Sequence, residues 1–496
     1  MAERFQNYIG GVWRDATDGR TFEDRNPARW SEIIGLFPLS TAQDVADAAD
    51  AAREAFDAWR LTPAPKRGLI LQKAGDLLTE RKEEIAREMT REMGKSLIET
   101  RADVQEAIDT AYYAASETRR LFQHTVPSEL PDKFNMSVRM PVGVCGIITA
   151  WNFPVAVPSW KILPALAAGN TVVFKPSEDA PKSGMLLVQA LIDAGIPPGV
   201  INLVHGDGTT GQALVENQNV NLIGFTGSSE VGAKIAAICG QTYKKVSLEM
   251  GGKNPQIVME DARLDLALEG ALWGAFGTTG QRCTATSRLI LHEAIHDEMV
   301  ERLVEAASKL RIGYALEPDV DIGPLINEKA LQKVEYYVNV GKEEGARLVL
   351  GGKRATGPGL EDGFFYEPTI FVDVTPEMRI AQEEIFGPVL AVLKVSSFEE
   401  AIAVANNSRY GLSSSIYTQD VNRSFKAIRD LESGITYVNA PTIGAEAHMP
   451  FGGIKQTGNG HREGGWTAFD IFTEIKTVYI DYSGRLQKAQ IDTYED

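Results

Sequence analysis

The chain is 496 residues long, and at roughly 150 residues per domain it predicts about three coupled units rather than a single hydrophobic core. Apolar residues make up 44% and charged residues 24%, the ordinary globular balance, which excludes a largely disordered, collagen-like or fibrous protein. A formal charge of −17 repels a phosphate backbone at long range, so no nucleic-acid partner is expected.

The first residues, Met1-Ala2-Glu3-Arg4-Phe5, carry charge early and no apolar run, so no secretory leader is expected. Residues 44–60 place Val45, Ala48, Ala52, Phe56 and Trp59 at spacings of three or four, which predicts an amphipathic helix capped by Ser40 or Thr41. Residues 67–122 are dense in Glu, Arg and Lys at helical spacing, with a break at Gly94, and their charged faces are expected in solvent. After Pro131 the segment 134–140 alternates like a hairpin strand. The most apolar stretch, 142–169, is interrupted by Asn152, Lys161 and prolines, so it does not read as a membrane span.

From there short apolar runs (144–150, 171–174, 200–204, 222–225, 246–248) alternate with helical stretches (159–168, 183–194, 210–216, 230–238). This repetition predicts βαβ units in a doubly wound parallel sheet, with ligands bound beyond the carboxyl ends of the strands. A second α/β unit spans about 255–453, with helices at 264–276 and 297–310, a strand at 287–291 and a Gly- and Pro-rich surface loop at 351–368. A last strand, 476–482, has no local partner and is expected to pair with an edge elsewhere or in another subunit. No role follows for the tail beyond Tyr482.

Two motifs are set aside. Gly206-Asp207-Gly208-Thr209-Thr210-Gly211 matches a dinucleotide loop, but no acidic residue closes a following strand about 20 residues on, so a plain turn and helix start is expected. His292-Glu293-Ala294-Ile295-His296 spells a zinc-protease motif, yet His292 closes a strand and the helix is expected to begin only near Asp297, so no metal site is expected.

The strand ends carry more chemistry. Trp151-Asn152-Phe153-Pro154 presents an amide that could hold an oxyanion, or a turn residue before a helix. Lys175-Pro176-Ser177-Glu178 offers a carboxylate that could accept from ribose hydroxyls and disfavour a 2′-phosphate, or an exposed ion pair. Gly227-Ser228 opens a helix whose N–H groups suit phosphate, a geometry that structural loops also use. Glu249, between Leu248 and Met250 and before Gly251-Gly252, is a carboxyl whose burial would suit it as a base near neutrality. Cys283 ends the small-residue loop 277–283, where the adjacent Arg282 could favour the thiolate, whereas Cys145 and Cys239 lie in apolar runs and read as packing. Three cysteines are too few for a disulfide framework, and a reducing, cytoplasmic setting is expected.

As an ordered set these motifs, with Glu383-Glu384-Ile385-Phe386-Gly387-Pro388 and Pro450-Phe451-Gly452-Gly453, resemble the aldehyde dehydrogenase superfamily over nearly the whole chain. The resemblance implies a Rossmann-type NAD-binding domain (1–122 and 142–251), an α/β catalytic domain (252–465) and a small β oligomerisation element with the tail (123–141 and 466–496), assembled as a homodimer or homotetramer. It implies NAD as cofactor, with NADP left open, and an aldehyde as substrate. Cys283 would attack the aldehyde to give a thiohemiacetal, Asn152 and the Cys283 N–H would hold the oxyanion, and Glu249 would activate the water that hydrolyses the thioester. Lys161 would join a proton relay near Glu249 or else stand solvated on its helix.

The cofactor residues implied are Trp151, Lys175, Ser177, Glu178, Gly227, Ser228, Gly251, Glu384 and Phe386; those for substrate are Arg282 and Phe451. Arg282 together with 439–446 is similar to branches that oxidise aminoadipic or α-ketoglutaric semialdehyde. An Arg fork there could bind a distal carboxylate, or pair with a protein acid. Rival readings are a CoA-acylating semialdehyde dehydrogenase, which would do without Glu249; a non-catalytic scaffold relative; and a zinc hydrolase through His292 and His296.

Overall fold

The computed structural model describes residues 2–121 and 124–491; the expected helix end at Phe122 and residues 492–496 of the tail lie outside the described residues. The first long helix, Ala42–Leu61, starts at Thr41, whose hydroxyl accepts from the Asp44 N–H while the Asp44 carboxylate accepts from the Thr41 N–H. That reciprocal cap satisfies two donors that helix geometry leaves open. Three helices follow, Ala64–Glu80, Lys82–Met93 and Leu97–Glu117. The second ends at Gly94, which adopts φ 81 where a Cβ would strike the Pro324 ring.

The expectation that these helices face their charges to solvent holds only for the outer faces. Glu92, Lys95, Glu99 and Asp103 are buried. Lys95 Nζ meets Asp103 Oδ2 at 2.9 Å with neither side chain exposed, and Asp103 Oδ1 accepts from the Ala156 N–H at 2.7 Å. An ion pair hidden in this way organises the start of the next helix, Ala156–Ala168, whose dipole favours a negative partner at that end.

The parallel sheet has seven strands in the order Lys245–Glu249, Leu222–Thr226, Val144–Ile148, Thr171–Lys175, Ile201–Leu203, Asn7–Ile9 and Val12–Arg14. The first five are parallel, joined by the expected helices. Both faces are covered: Cys145 and Ile147 point into one apolar cluster, Val144 and Ile148 into another. The two antiparallel strands at the edge were not expected, because three residues each is too short a run to show alternation.

A second seven-stranded sheet runs Arg347–Leu350, Thr369–Val372, Val389–Val395, Thr286–His292, Asn254–Val258, Ser413–Tyr417 and Ile435–Val438. The third sheet resolves both stray segments. Lys133–Pro141 lies between Thr125–Pro127 and Thr473–Asp481, and pairs with the latter over nine residues from Lys133 opposite Asp481 to Pro141 opposite Thr473. No helix among the described residues is long and apolar enough to cross a membrane.

Candidate active site

Three neighbouring parallel strands, Val144–Ile148, Leu222–Thr226 and Lys245–Glu249, end at one cleft. Their register sets Ile148 beside Phe225 and Thr226 beside Glu249, so the segments that follow arrive together. The cleft encloses about 270 Å³ and is lined by Trp151, Asn152, Gly227, Ser228, Glu249, Gly251, Cys283, Glu384 and Phe386. Ligands of doubly wound sheets bind in such a position.

Cys283 is delivered by a loop from the second sheet's side. Thr278 and Thr279 adopt φ 51 and φ 57, a left-handed backbone that costs about 1–3 kcal/mol per residue and persists only when its surroundings insist. The buried carboxylate of Glu99 supplies that insistence. Its Oε1 accepts from the Thr278 N–H at 2.7 Å, from the Thr278 hydroxyl at 3.0 Å and from Arg282 Nη2 at 2.7 Å. Gln281 ties the same loop to the next segment, its Oε1 accepting from the Ile326 N–H.

This geometry corrects one expectation about the nucleophile. Arg282 is next to Cys283 in sequence, but its guanidinium turns toward Glu99 and Thr278 and leaves the sulfur without a cation. Burial pushes the Cys283 thiol up to about 12, Glu384 and Glu249 push the same way, and only the backbone N–H groups of Thr284 and Cys283 counter them. The resting residue is a thiol that must lose its proton to act.

The acceptor for such a proton is close by. Glu249 is 3% exposed and its carboxyl takes no side-chain hydrogen bond, with the Gly453 N–H the one backbone donor that counters its burial. Burial raises it to about 8 against the pull of Lys161 and Arg462. Gly452 makes room for it: at φ 145, a Cβ there would lie 2.4 Å from Glu249 Oε1. Asn152 is buried and its Nδ2 donates to the Gln281 carbonyl at 3.1 Å, which fixes the amide across the nucleophile's loop. Lys161 is not solvated, as the simpler reading had it: the whole Ala156–Ala168 helix is buried, and Lys161 Nζ is ion-paired to Glu463. Glu463 gave no signal in the sequence.

On the cofactor side, Ser228 caps the helix Ser229–Gln241, its hydroxyl accepting from the Val231 N–H, and so presents a helix N-terminus to the cleft. Thr226 lines the same cleft with a buried hydroxyl that has no partner. A Cβ on Gly251 would fall 2.3 Å from Glu384 Oε2, so glycine is needed for the Glu384 carboxyl to lie there, where its Oε1 accepts from the Gly252 N–H at 2.9 Å. Trp151 and Phe386 meet edge to face at 5.6 Å. An orphaned hydroxyl, an open helix end and a half-buried carboxyl suit a dinucleotide's phosphates and ribose. Lys333 lines the cleft as well, a residue missed because nothing marks one lysine of an amphipathic helix as turned inward. Lys175, Ser177 and Glu178 stand beyond this lining, with Lys175 Nζ and Glu178 Oε2 paired at 3.2 Å.

The chain is similar to known proteins along nearly its whole length. The family profile described as "Aldehyde dehydrogenase family" matches residues 13–478. The chain belongs to the aldehyde dehydrogenase family. It is 43% identical over 477 residues to the alpha-ketoglutaric semialdehyde dehydrogenase of Bacillus subtilis, covering 96% of this chain and 98% of that one. It is 43% identical over 484 residues to the alpha-ketoglutarate semialdehyde dehydrogenase of Haloferax volcanii, covering 97% and 100%. The solved structure of an NAD-dependent aldehyde dehydrogenase from Sinorhizobium meliloti superposes with a TM-score of 0.95 at 38% identity, over 99% of this chain and 97% of that one.

Beyond the catalytic loop, this aldehyde dehydrogenase has a second and larger cavity of about 680 Å³. Asn152 and Cys283 line the cleft, while their chain neighbours Phe153 and Arg282 line the cavity, so the two spaces share the backbone of these segments as a wall. Arg282 pairs with a protein acid, Glu99, and also lines the cavity. The Phe451 ring meets Trp160 at 4.7 Å, tilted by 47°, in an apolar cluster that packs against Phe153 and Cys283.

The motifs set aside are otherwise occupied. In the dehydrogenase Asp207 caps the helix Gly208–Glu216 as a turn and helix start. The helix after His292 begins at Glu293, earlier than expected, because the His292 ring itself accepts from the Ala294 N–H. The His296 ring meets Asp297, whereas His292 Nε2 meets the Ser396 carbonyl, so the two rings do not converge.

Proposed function

We propose that this enzyme oxidises a carboxylated semialdehyde of the α-ketoglutaric type to the acid, with NAD as hydride acceptor and Cys283 as the covalent nucleophile. One observation carries the reading: a thiol, a buried amide donor and a buried carboxyl that takes no side-chain hydrogen bond, those of Cys283, Asn152 and Glu249, converge on one cleft. The substrate class rests on the semialdehyde-oxidising relatives and on Arg282 facing the second cavity.

Once Cys283 has passed its proton to Glu249 and Glu249 has released it along Lys161 and Glu463, the sulfur bonds to the aldehyde carbon, and the amide of Asn152 with the Cys283 N–H holds the resulting oxyanion. The nicotinamide, when bound, supplies the acceptor for the hydride that leaves that carbon. Glu249 then takes a proton from water, the hydroxide attacks the thioester on Cys283, and the acid and the thiolate separate. Lys161 and Glu463 lead that proton away from Glu249. Glu249 is what argues against CoA as the resolving group.

Residues 1–122 and 142–251 make up the dinucleotide unit and 252–465 the catalytic unit, with Glu384 and Lys333 from the latter closing the cleft. Lys175, Ser177 and Glu178 hold the adenosine ribose, and a carboxylate there favours NAD over NADP. The third sheet exposes Phe134 and Ile480 on one face and Ile475 and Tyr479 on the other, apolar surface suited to joining subunits into a homodimer or homotetramer. Three unpaired cysteines fit a reducing, cytoplasmic setting.

The test is NADH formation, followed by absorbance, with NAD and a panel of acetaldehyde, benzaldehyde, and succinic, α-ketoglutaric and aminoadipic semialdehydes. The expected result is fastest turnover of a carboxylated substrate and loss of roughly 10⁵-fold or more in Cys283→Ala. Unaltered turnover in that variant would overturn the mechanism.

A further inference from the structure

The second cavity holds one carboxyl that no part of the mechanism uses. Glu106, on the Leu97–Glu117 helix, lines this space together with Arg282; its side chain is half-buried, with Oε1 shut away and without a hydrogen-bond partner, so Oε2 is the oxygen that the cavity reaches. Every other acid on the wall is engaged: Glu99 by Arg282, Asp103 by Lys95, Asp109 by Gln105 and Glu446 by His448. Tyr437 lies within electrostatic reach of Glu106, Glu446 and Cys283 alike, which links Glu106 to the reacting end of the site.

We propose that Glu106, as a neutral carboxylic acid, is a specificity-determining residue that donates a hydrogen bond to the remote carboxylate of the substrate, beside the guanidinium edge of Arg282 that Glu99 leaves open. The inference rests on the proposed carboxylated substrate. Burial raises Glu106 to about 8, Asp103 and Asp109 push the same way, and Lys95 and Arg282 oppose them. At neutral pH the group is therefore a donor, and an acid held neutral in this way binds an anion that a carboxylate would repel. Binding a second carboxylate favours the shared proton further, so proton and substrate bind together.

The signature is a pH dependence confined to charged substrates. With full-length enzyme at saturating NAD, kcat/KM is measured from pH 6.5 to 9.5 for α-ketoglutaric semialdehyde and for pentanal, and their ratio removes whatever Cys283 and Glu249 contribute to both. The ratio is expected to fall about tenfold per pH unit above about 8 in the wild type. It is expected to stay flat in Glu106→Gln, which keeps a donor and cannot titrate. His448→Gln should leave the slope unchanged.

A flat wild-type ratio overturns the inference even if the glutamine variant does not fold, and so does a slope that survives in that variant. Betaine aldehyde that gains on pentanal above pH 8 through Glu106 would also overturn it, since the carboxylate would then be reading a cation. No turnover of any carboxylated aldehyde at any pH, with pentanal still oxidised, removes the substrate reading and this inference together. Turnover with a flat ratio removes this inference alone.

Discussion

The two spaces on either side of Cys283 are built from different materials. Much of the cleft is made by the segments that follow strand ends, where parallel register sets the spacing. The cavity is made mostly by side chains of one helix, Leu97–Glu117, and one loop around 444–448, with Phe153, Trp273 and Arg282 completing it. A register cannot be altered without disturbing every neighbouring strand, whereas a helix face can be rewritten one residue at a time. Fixed chemistry with variable substrate choice is what this division permits.

Substitutions separate the two sides. Glu249→Gln, on the cleft side, is expected to lower steady-state turnover by about 10²–10⁴-fold for every aldehyde and to slow the single-turnover burst of NADH, read by stopped flow, because the same carboxyl serves Cys283 and the hydrolytic water. In the wild type, kcat should rise with pH through about 8, because only the ionised carboxyl is a base, and the variant should lose that rise. A multiple-turnover rate that survives the change would mean that the cleft does not contain the base.

Glu99 stands in the wall that the two spaces share. Glu99→Ala leaves Arg282 and the Thr278 N–H without their acceptor, which is expected to destabilise the fold by about 3–5 kcal/mol, seen as a lower Tm. Turnover should fall by up to about 10²-fold through misplacement of Cys283. Glu99→Gln should recover part of both. The smallest effect belongs to Glu178→Gln, expected to narrow the preference for NAD over NADP by about tenfold, with no change in the ranking of aldehydes.

The parallel sheet was legible because each apolar run closes on a turn and is followed by a helix of ordinary period, so its five strands could be placed within a few residues. The short edge strands at Asn7–Ile9 and Val12–Arg14 were not, since three residues leave no pattern. At the site, Cys283, Glu249 and Asn152 were found because their motifs sit at strand and loop ends. The protonation of Cys283 was misread: adjacency in sequence suggested adjacency of charge, and the Thr278–Thr279 backbone sends Arg282 the other way. The partners that decide such matters, Glu99 and Glu463, lie 183 and 302 residues from Arg282 and Lys161, and no periodicity encodes an acid's choice of a distant base.

The ladder between Lys133–Pro141 and Thr473–Asp481 bears on the order of assembly during synthesis. Arg139 bonds to Thr473 across 334 residues of chain, so when the strand at 133–141 leaves the ribosome the short Thr125–Pro127 can cover part of one edge, and the edge that takes Thr473–Asp481 has no partner yet. At roughly 5–20 residues per second the missing strand follows after tens of seconds. Through that interval an unpaired edge is open to other strands, including those of neighbouring nascent chains. Chaperone demand for this protein should therefore concentrate late in its translation, and a truncation that removes 473–481 should aggregate even though both seven-stranded sheets are complete.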